Sequence, residues 1–455
     1  MMNIIPHSEI YKKFIVQEPQ LFRFWNILTN EQKKELCSQL SKNSTLLLSL
    51  QNESRHNEPH AEERKFEPFG ECAYSGNEEN RKLGKQLIAL GRVGCVLLAG
   101  GQGTRLQHKG PKGTFPVSLI KRKSLFQICG EKVKAAGLQA GRPLQLAVMT
   151  SEDNDIMTRD FFHQNQFFGL SPSQVSFFVQ GSLPLLDSAG KPFLQTPWQL
   201  AMGADGNGNS LIYFAKAGLL KHWQTLGIEY MHVILIDNPL ADPFDAELAG
   251  YHHRQKVDIT LKCTEKVDPE EKVGVLVKQD GRCKVVEYSE MPTQEKYALH
   301  PTGKLKHCTT NLSLFCFSLS FLDKITWGPN QLPLHKAWKA AQYVDVDGNV
   351  CQSDKPMAWK FETFIFDWLN YTEKVAAMIY PRSECFAPLK NAKGNDSPET
   401  VHHAIQEMDK IIFREITQLP PPNFPFELAA DFYYPTERLS AKWKNRQTDQ
   451  NYVES

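Results

Sequence analysis

A short apolar segment, Val93–Leu98, ends abruptly in a glycine-rich turn, and this junction constrains the fold more than any other feature of the chain. The turn contains Gly100, Gly101 and Gly103. Because glycine has no Cβ, the backbone can turn sharply there and its N–H groups can face phosphate oxygens. The junction therefore predicts a buried strand followed by a phosphate-binding turn.

Two basic residues follow the glycines and support the same interpretation. Arg105 offers a planar fork of donors, and Lys112, within Pro111-Lys112-Gly113, offers a compact point charge. A glycine-rich turn without a ligand is the alternative, since short motifs often occur by chance. The two cations favour a site for the phosphates of a nucleotide.

Two other phosphate loops are excluded by their spacing. The dinucleotide pattern G-x-G-x-x-G needs a third glycine at the position of Leu106. The pattern G-x-x-x-x-G-K-[ST] is absent, because no Gly-Lys pair of the chain is followed by serine or threonine. A dinucleotide oxidoreductase is therefore not predicted.

Composition limits the class of protein and its partners. The 455 residues are 41% hydrophobic and 23% charged, which is typical of a soluble globular protein. A net charge of +1 predicts neither a nucleic-acid nor a membrane partner. The ten cysteines follow no disulfide or metal spacing, and no apolar run approaches the ~20 residues that span a bilayer. We expect a cytoplasmic protein with reduced thiols, and the sequence does not indicate its oligomeric state.

Alternation of strand, turn and helix signals from Val93 onward predicts an α/β fold with a largely parallel sheet. We expect a helical N-terminal region with a linker (1–90), a central α/β domain (91–390) and a small C-terminal region (391–455), whose last fifteen or so residues are polar enough to fray. The predicted strands cover 93–98, 144–149, 175–179, 231–236, 259–264, 273–278 and 283–288. The last two are separated by Asp280-Gly281, a hairpin turn signal. The predicted helices cover 78–90 (capped by Asn77), 125–136 (capped by Ser124), 154–165, 211–226, 361–371 and 401–416.

Asp237 follows the buried apolar segment Met231–Ile236. Ligands bind at the carboxyl ends of strands in open α/β sheets, and Mg²⁺ typically takes one or two protein carboxylates. The position predicts a magnesium ligand next to nucleotide phosphates. A structural cap of the following turn is the alternative.

Weaker signals point to a base and a sugar. Gly206 and Asn207 lie in a run of small residues before a helix, where a plain loop is the alternative to contacts with a planar base. Gly274 lies within a predicted strand, which often indicates close approach to the backbone. Glu287 and Asn311 could accept or donate hydrogen bonds to hydroxyl groups, although edge strands carry such residues routinely.

Many short segments together resemble one family. The segments LLAGGQGTRL, PKG, KSLFQ, MTS, FFGL, VQGSLP, DGNG, DNPLAD, VGVL, VVEYSE, KFETFIFD and PLKNA follow one another over about residues 80–400, in an order similar to that of the eukaryotic-type UDP-N-acetylhexosamine (UDP-sugar) pyrophosphorylases. The resemblance implies a nucleotidyltransferase core, a GT-A-like and Rossmann-like mixed sheet, with a helical N-terminal and a small C-terminal region.

The resemblance also implies roles for individual residues. Leu98, Ala99, Gly100 and Gly101 would lie near the uridine and phosphates. Uracil would be read by Gln180, Gly206 and Asn207, and metal and phosphates would face Asp237. The sugar and its phosphate would be held by Gly274, Glu287, Asn311, Phe364, Phe366 and Lys390.

The expected reaction is the Mg²⁺-dependent joining of UTP and a hexose 1-phosphate to give UDP-sugar and pyrophosphate, with Arg105, Lys112 and Lys390 offsetting phosphate charge. N-acetylglucosamine 1-phosphate is the expected sugar; glucose 1-phosphate or broad specificity is the alternative. A non-catalytic nucleotide-sugar binding protein is the alternative of another class. The chain departs from the family at Gln107, where glycine is usual, and at Leu312-Ser313, where His-Phe is usual.

Overall fold

The computed structural model describes residues 7–55, 65–328 and 331–455. The chain forms two compact units, each assembled from three stretches of sequence. Unit 1 comprises Met1–His60, Gly181–Asn209 and Leu332–Phe364. Unit 2 comprises Ala61–Gln180, Ser210–Gln331 and Ile365–Ser455. The three segments predicted from the sequence, with boundaries at 90 and 390, stay a prediction.

Unit 2 is built on an eight-stranded sheet. In chain order its strands are Cys72–Tyr74 (β1), Val93–Leu98 (β2), Leu146–Thr150 (β3), Val175–Val179 (β4), Tyr230–Leu235 (β5), Ile259–Cys263 (β6), Leu314–Ser318 (β7) and Val375–Ile379 (β8). Their spatial order is β1-β8-β6-β7-β5-β2-β3-β4. Every neighbouring pair in this sheet is parallel except the two that involve β7. The predicted, largely parallel α/β sheet is therefore confirmed.

The central strands are mainly apolar and buried, because helices cover both faces of such a sheet. Every residue of β2, β3 and β6 is buried. Register places Leu98, the last residue of β2, beside Leu235, the last residue of β5. The two strands therefore end level with each other, and the residues that follow them emerge side by side.

Helices surround the sheet of unit 2, and two predicted caps are confirmed. The Asn77 side chain accepts a hydrogen bond from the Asn80 N–H, and the Ser124 side chain accepts one from the Gln127 N–H. The α-helices of this unit are Glu78–Ala89, Leu125–Ala140, Asp155–Gln164, Ser210–Lys216, Leu219–Thr225, Ala246–Gln255, Thr293–Lys296, Leu319–Thr326, Arg382–Cys385, Pro398–Thr417 and Glu437–Trp443.

A separate three-stranded sheet in unit 2 contains the predicted hairpin. Val275–Gln279 and Arg282–Val286 pair antiparallel, and Glu67–Pro68 joins the first of them. Asp280 and Gly281 both have positive φ, +53° and +77°, as a tight hairpin turn requires. The Asp-Gly turn signal is thus confirmed.

Gly274 and Glu287, both predicted within strands, lie just outside the strands Val275–Gln279 and Arg282–Val286. Three further elements differ from their predictions. The predicted helix 211–226 is two helices, because Gly218 adopts φ +80° between them. The predicted helix 361–371 begins as the end of a strand, Ala358–Glu362, and only Ile365–Tyr371 is helical, as a 3₁₀-helix. Strand β1 comes from a stretch in which the sequence predicts no strand.

The prediction that the last fifteen or so residues fray is wrong. Tyr452–Val453 pairs in parallel with Glu427–Leu428, and Val453 is fully buried. The Lys123 Nζ donates a hydrogen bond of 2.9 Å to the Tyr452 hydroxyl. Two apolar or amphipathic residues in an otherwise polar tail are enough to anchor it.

Unit 1 combines the N-terminal helices, His7–Gln17 and Asn30–Arg55, with short antiparallel strand pairs. Its core joins apolar side chains of the second helix to those of the strands, for example Leu40, Leu186 and Phe361. The strand pairs are Ser182–Pro184 with Met202–Ala204, Leu194–Thr196 with Gln199–Leu200, His335–Lys339 with Ala358–Glu362, and Gln342–Val344 with Val350–Gln352. Among the helices in 7–55, 65–328 and 331–455, none has the length and apolarity to cross a membrane.

Candidate active site at the carboxyl edge of the sheet

One edge of the eight-stranded sheet collects most of the predicted site residues of unit 2. Parallel strands end at the same edge, and the antiparallel strand β7 begins there. Ala99 follows β2, Gln180 follows β4, Asp237 follows β5 and Asn311 precedes β7. Topology alone therefore brings together residues that are far apart in the sequence.

The glycine turn after β2 is a closed loop. The Lys112 N–H donates to the Gly101 carbonyl at 3.1 Å, and the Gly103 N–H donates to the Gly110 carbonyl at 3.1 Å. Gly101 is exposed, and a Cβ built on it would meet open space. The loop thus leaves the backbone after Ala99 accessible, as a phosphate site needs.

Gln107 shows why glycine is usual at its position. It ends the 3₁₀-helix Thr104–Leu106 in the left-handed conformation, with φ +56° and ψ +28°. L-residues adopt this conformation only at a cost, whereas glycine does not. The departure at Gln107 changes the side chain but keeps the turn.

Gln180 and Gly100 lie against each other. The Gln180 N–H donates to the Thr150 carbonyl at 2.9 Å, which fixes the residue after β4 to the end of β3. A Cβ on Gly100 would stand 2.5 Å from the Gln180 Oε1. The missing side chain of Gly100 therefore makes room for the buried carboxamide of Gln180.

Asp237 and Lys112 form the charged centre of this edge. The Lys112 Nζ lies 3.4 Å from the Asp237 Oδ2, and the two side chains are 18% and 17% exposed. Arg105, in the same loop as Lys112, is exposed. Within the described part of the chain, no group of three or more His, Cys, Asp or Glu side chains is arranged to hold a metal ion. Asp237 is thus a single carboxylate beside a cation.

The turn after Asp237 is bound to the segment that carries Lys390. The Leu389 N–H donates to the Asp237 carbonyl at 2.7 Å. The Asn238 side chain donates to the Cys385 carbonyl at 2.8 Å and accepts from the Ala387 N–H at 3.0 Å. Lys390, the next residue after Leu389, is exposed. The predicted metal ligand and the predicted phosphate-binding lysine are therefore connected by backbone contacts.

The buried Lys132 also contacts the turn that follows Asp237. The Lys132 Nζ donates to the carbonyls of Pro239, at 2.8 Å, and Ala241, at 3.2 Å. Burial lowers the pKa of Lys132 to about 8, although the negative charge of Asp242 acts in the opposite direction. The Tyr433 ring lies 4.6 Å from the ammonium group. The turn after β5 is thus held on two sides.

The three residues expected near the sugar also meet. The Asn311 N–H donates to the Gly274 carbonyl at 2.8 Å. A Cβ on Gly274 would stand 2.8 Å from the Glu287 Oε1. The Asn311 Oδ1 accepts from the Ser313 N–H at 3.0 Å, and Ser313 has φ +56°. The departure Leu312-Ser313 therefore lies in a tight turn directly after Asn311.

The remaining predicted residues are divided between the two units. In unit 1, Gly206 precedes Asn207 and has φ +84°, and a Cβ on it would stand 2.2 Å from the Thr363 carbonyl oxygen. Phe364, next to Thr363, packs its ring 4.8 Å from that of His335. Phe366 belongs to unit 2, where it is buried in the 3₁₀-helix Ile365–Tyr371.

Comparison with known proteins identifies the family of the chain. Residues 48–402 match the family described as UTP--glucose-1-phosphate uridylyltransferase. The chain belongs to this family.

Relatives within the uridylyltransferase family cover most of the chain. A human UDP-N-acetylhexosamine pyrophosphorylase-like protein 1 is 36% identical over 74% of this chain and 69% of its own length. The Saccharomyces cerevisiae UDP-N-acetylglucosamine pyrophosphorylase is 30% identical over 93% of this chain and 94% of its own. The crystal structure of a UDP-N-acetylglucosamine pyrophosphorylase from Entamoeba histolytica, described there as putative, is 26% identical, with a TM-score of 0.76 over 86% of this chain and 99% of that one.

Sequence reasoning missed three buried residues that shape this candidate site: Asn154, Asn238 and Lys132. All three hydrogen-bond to backbone carbonyls of the loops described above or of the segment joined to them. A local signal exists for the asparagines, because each follows a predicted strand by only a few residues. No local signal exists for Lys132, which lies inside a helix.

Proposed function

We propose that this protein joins UTP to a hexose 1-phosphate, with release of pyrophosphate. The observation that carries the proposal is the charged centre: Lys112, from the glycine loop, lies 3.4 Å from Asp237, and the backbone of Asp237 holds the segment that carries Lys390. Asp237 is thus joined to one cation, Lys112, through its side chain and to the segment of a second, Lys390, through its backbone. Membership of the uridylyltransferase family supports the same reaction.

In the proposed reaction, a phosphate oxygen of the hexose 1-phosphate attacks the α-phosphorus of UTP. A new P–O bond forms as the bond between the α-phosphorus and the bridging oxygen of the β-phosphate breaks, and that oxygen leaves with pyrophosphate. No covalent intermediate with the protein is needed, because positioning and charge stabilisation supply most of the catalysis in such transfers. Arg105 and Lys112 would neutralise the departing pyrophosphate, and Lys390 the incoming phosphate.

Asp237 fits a Mg²⁺ site. Its carboxylate is partly exposed beside Lys112, and Mg²⁺ usually binds one or two protein carboxylates together with water and substrate phosphates. A dedicated cage of several carboxylates is therefore not required. When bound there, the ion would supply positive charge to the phosphate oxygens.

The proposed site has a nucleotide side, where Gly100 lies against Gln180, and a sugar side, where Gly274 lies against Glu287. On the nucleotide side, Leu98, Ala99, Gly100 and Gly101 would face the uridine and its phosphates. Gln180 would hydrogen-bond the uracil edge, and a base that leaves its buried carboxamide unpaired would be rejected. The hexose would be contacted by Gly274, Glu287, Asn311 and Phe366.

We propose N-acetylglucosamine 1-phosphate as the preferred sugar, because the three relatives described above have names that refer to N-acetylhexosamine or N-acetylglucosamine. Glucose 1-phosphate is the second candidate, since the family description names it and Leu312-Ser313 alters the turn after Asn311. Changing one or two apolar contacts shifts discrimination by only about 1–3 kcal/mol. Use of both sugars is therefore physically easy.

We also propose a cytoplasmic protein that acts on small molecules, without a nucleic-acid or membrane partner. The balanced net charge of +1 supports this proposal. All ten cysteines lie within the described residues, and none of them forms a disulfide.

The test is pyrophosphate release from UTP and Mg²⁺, with and without each sugar phosphate. N-acetylglucosamine, N-acetylgalactosamine, glucose and galactose 1-phosphates form the panel, and ATP replaces UTP as the control nucleotide. We expect release only with UTP and a hexose 1-phosphate, with a UDP-sugar appearing in equal amount. Binding of UTP without turnover of any sugar phosphate would instead support a nucleotide-sugar binding protein.

A further inference from the structure

The side chain of Asn238 hydrogen-bonds the segment 385–389 through both its N–H group and its carbonyl oxygen. It is only 4% exposed and directly follows Asp237. Its Nδ2 donates to the Cys385 carbonyl at 2.8 Å, and its Oδ1 accepts from the Ala387 N–H at 3.0 Å. Both halves of the carboxamide are used, and at this position only asparagine supplies a donor and an acceptor at the required reach.

These contacts fix the position of Lys390 relative to Asp237. The Leu389 N–H bonds to the Asp237 carbonyl, so two consecutive residues hold three points of the segment 385–389. On the other side, the N–H groups of Lys390 and Asn391 both donate to the Asp396 carbonyl, at 2.7 and 3.0 Å. The backbone of Lys390 is therefore anchored before and after the residue, while its side chain stays exposed.

Asn154 makes the corresponding contact on the nucleotide side. It is fully buried, and its Oδ1 accepts from the Ser151 N–H at 2.8 Å. Its Nδ2 donates to the Ala99 carbonyl at 3.0 Å and lies 3.4 Å from the Gly101 carbonyl. The glycine loop is thus attached to the turn after β3 by one carboxamide.

We infer that Asn238 and Asn154 are positioning residues, each serving one substrate. Asn238 sets the place of the sugar phosphate through Lys390, and Asn154 sets the place of the UTP phosphates through the glycine loop. The inference rests on the proposed function. Since a displacement of about 1 Å can cost on the order of 100-fold in rate, loss of either carboxamide acts on the site without touching a substrate.

The test compares neutral and charged substitutions at both positions. Asn238→Ser and Asn154→Ser shorten the side chain without adding charge, and Asn238→Asp and Asn154→Asp keep its shape but remove the Nδ2 donor. Asn80→Asp is the control, because Asn80 is equally buried but bonds to Arg254 rather than to the site. The KM of each substrate is measured at saturation with the other, and melting is recorded for every variant.

Both Asn238 variants should raise the KM for N-acetylglucosamine 1-phosphate about tenfold and change the KM for UTP less than about twofold. The Asn154 variants should do the reverse, and Asn80→Asp should change neither KM. KM does not depend on the folded fraction, so a partly unfolded variant still reports. Equal changes in both KM values, or unchanged values in the serine variants, would overturn the inference. A wild-type protein without turnover would overturn the proposed function instead.

Discussion

Two glycines of the site do the same thing in different surroundings. Gly100 makes room for the carboxamide of Gln180 on the nucleotide side, and Gly274 makes room for the carboxylate of Glu287 on the sugar side. A Cβ on Gly100 would meet, among its three nearest atoms, only the flexible end of Gln180. A Cβ on Gly274 would also come within 3.0 Å of the Val285 Cγ1.

The difference lies in what can move. The end of a glutamine side chain can shift at little cost, whereas a β-branched valine in a strand is stiff at χ1. A side chain at Gly100 should therefore disturb recognition more than stability, and one at Gly274 should disturb both. The phosphate-binding part of the nucleotide side also lies in one continuous motif, whereas the sugar side is assembled from three separate segments.

We expect the largest effect from loss of the basic residues, because their charge serves the nucleotide side and the sugar side alike. We expect kcat to fall about 100- to 1,000-fold in each of the variants Arg105→Ala, Lys112→Ala and Lys390→Ala. Loss of a preorganised charge contact typically removes about 3–4 kcal/mol of transition-state stabilisation. Steady-state kinetics and melting curves measure the effect. Lys109→Ala, an exposed lysine of the same loop, is the matched control. Near-wild-type kcat in any of the three variants would remove that residue from the proposed chemistry.

Asp237→Asn should weaken the dependence of activity on Mg²⁺ more than it weakens UTP binding, because the amide keeps the size of the carboxylate but loses its charge. Activity is titrated with Mg²⁺ in both proteins after removal of metal with a chelator. We expect the chelated wild-type protein to be inactive and to recover fully, and the variant to require on the order of tenfold more Mg²⁺. Superimposable titrations would leave Asp237 as a structural cap of its turn.

Gly274→Ala should have the larger effect of the two glycine substitutions. Overpacking beside Val285 should cost about 1–3 kcal/mol of unfolding free energy, and displacement of Glu287 should raise the KM for N-acetylglucosamine 1-phosphate several-fold. Urea unfolding and steady-state kinetics test the two parts. Gly70→Ala, where an added Cβ meets open space, is the control. A stable variant with an unchanged KM would contradict the contact between Gly274 and Glu287.

Gly100→Ala should leave stability nearly unchanged and raise the KM for UTP, by about 1 kcal/mol or roughly fivefold, since it displaces only the Gln180 carboxamide. Gln180→Ala should have a similar effect. The double variant should be no worse than Gln180→Ala, because the alanine at 100 then has nothing left to displace. Additive effects in this cycle would show that Gly100 acts through the phosphates rather than through Gln180.

The smallest expected effect concerns the loop that both cations share. Gln107→Gly should stabilise the protein by about 1 kcal/mol or less, because it relieves a left-handed conformation while increasing the entropy of the unfolded chain. The urea midpoint measures this change, and kcat should remain within about twofold of the wild type. A lower midpoint would mean that the Gln107 side chain contributes more than its backbone strain costs.

Features carried by neighbouring residues could be predicted from the sequence. Strands β2 and β4 have the bounds expected from their apolar runs, and the caps Asn77 and Ser124 act as their spacing indicates. Strand β1 could not be predicted, because three partly exposed residues carry no period and depend on pairing with β8. Tertiary pairing likewise decides that residues 358–362 form a strand.

The same distinction holds for the candidate site. The glycine loop could be recognised from one contiguous stretch, and Asp237 from the strand that precedes it. That the segment 385–389 lies against Asp237 could not, because the hydrogen bond between the Leu389 N–H and the Asp237 carbonyl joins residues about 150 positions apart through backbone groups that any sequence possesses. Family resemblance supplied Lys390, and the fold supplies the reason for its position.

The composition of unit 1 has a consequence for synthesis of the chain on the ribosome. Its N-terminal helices emerge first, but Leu36 and Leu40 belong to a core completed by Leu186, Leu200 and Phe361. Those partners are translated much later, so the apolar face of Asn30–Arg55 waits through most of elongation before it can be covered. Nascent chains arrested before residue 361 should therefore bind chaperones through this helix, and chains arrested far enough beyond residue 364 for that residue to have left the ribosome should release them.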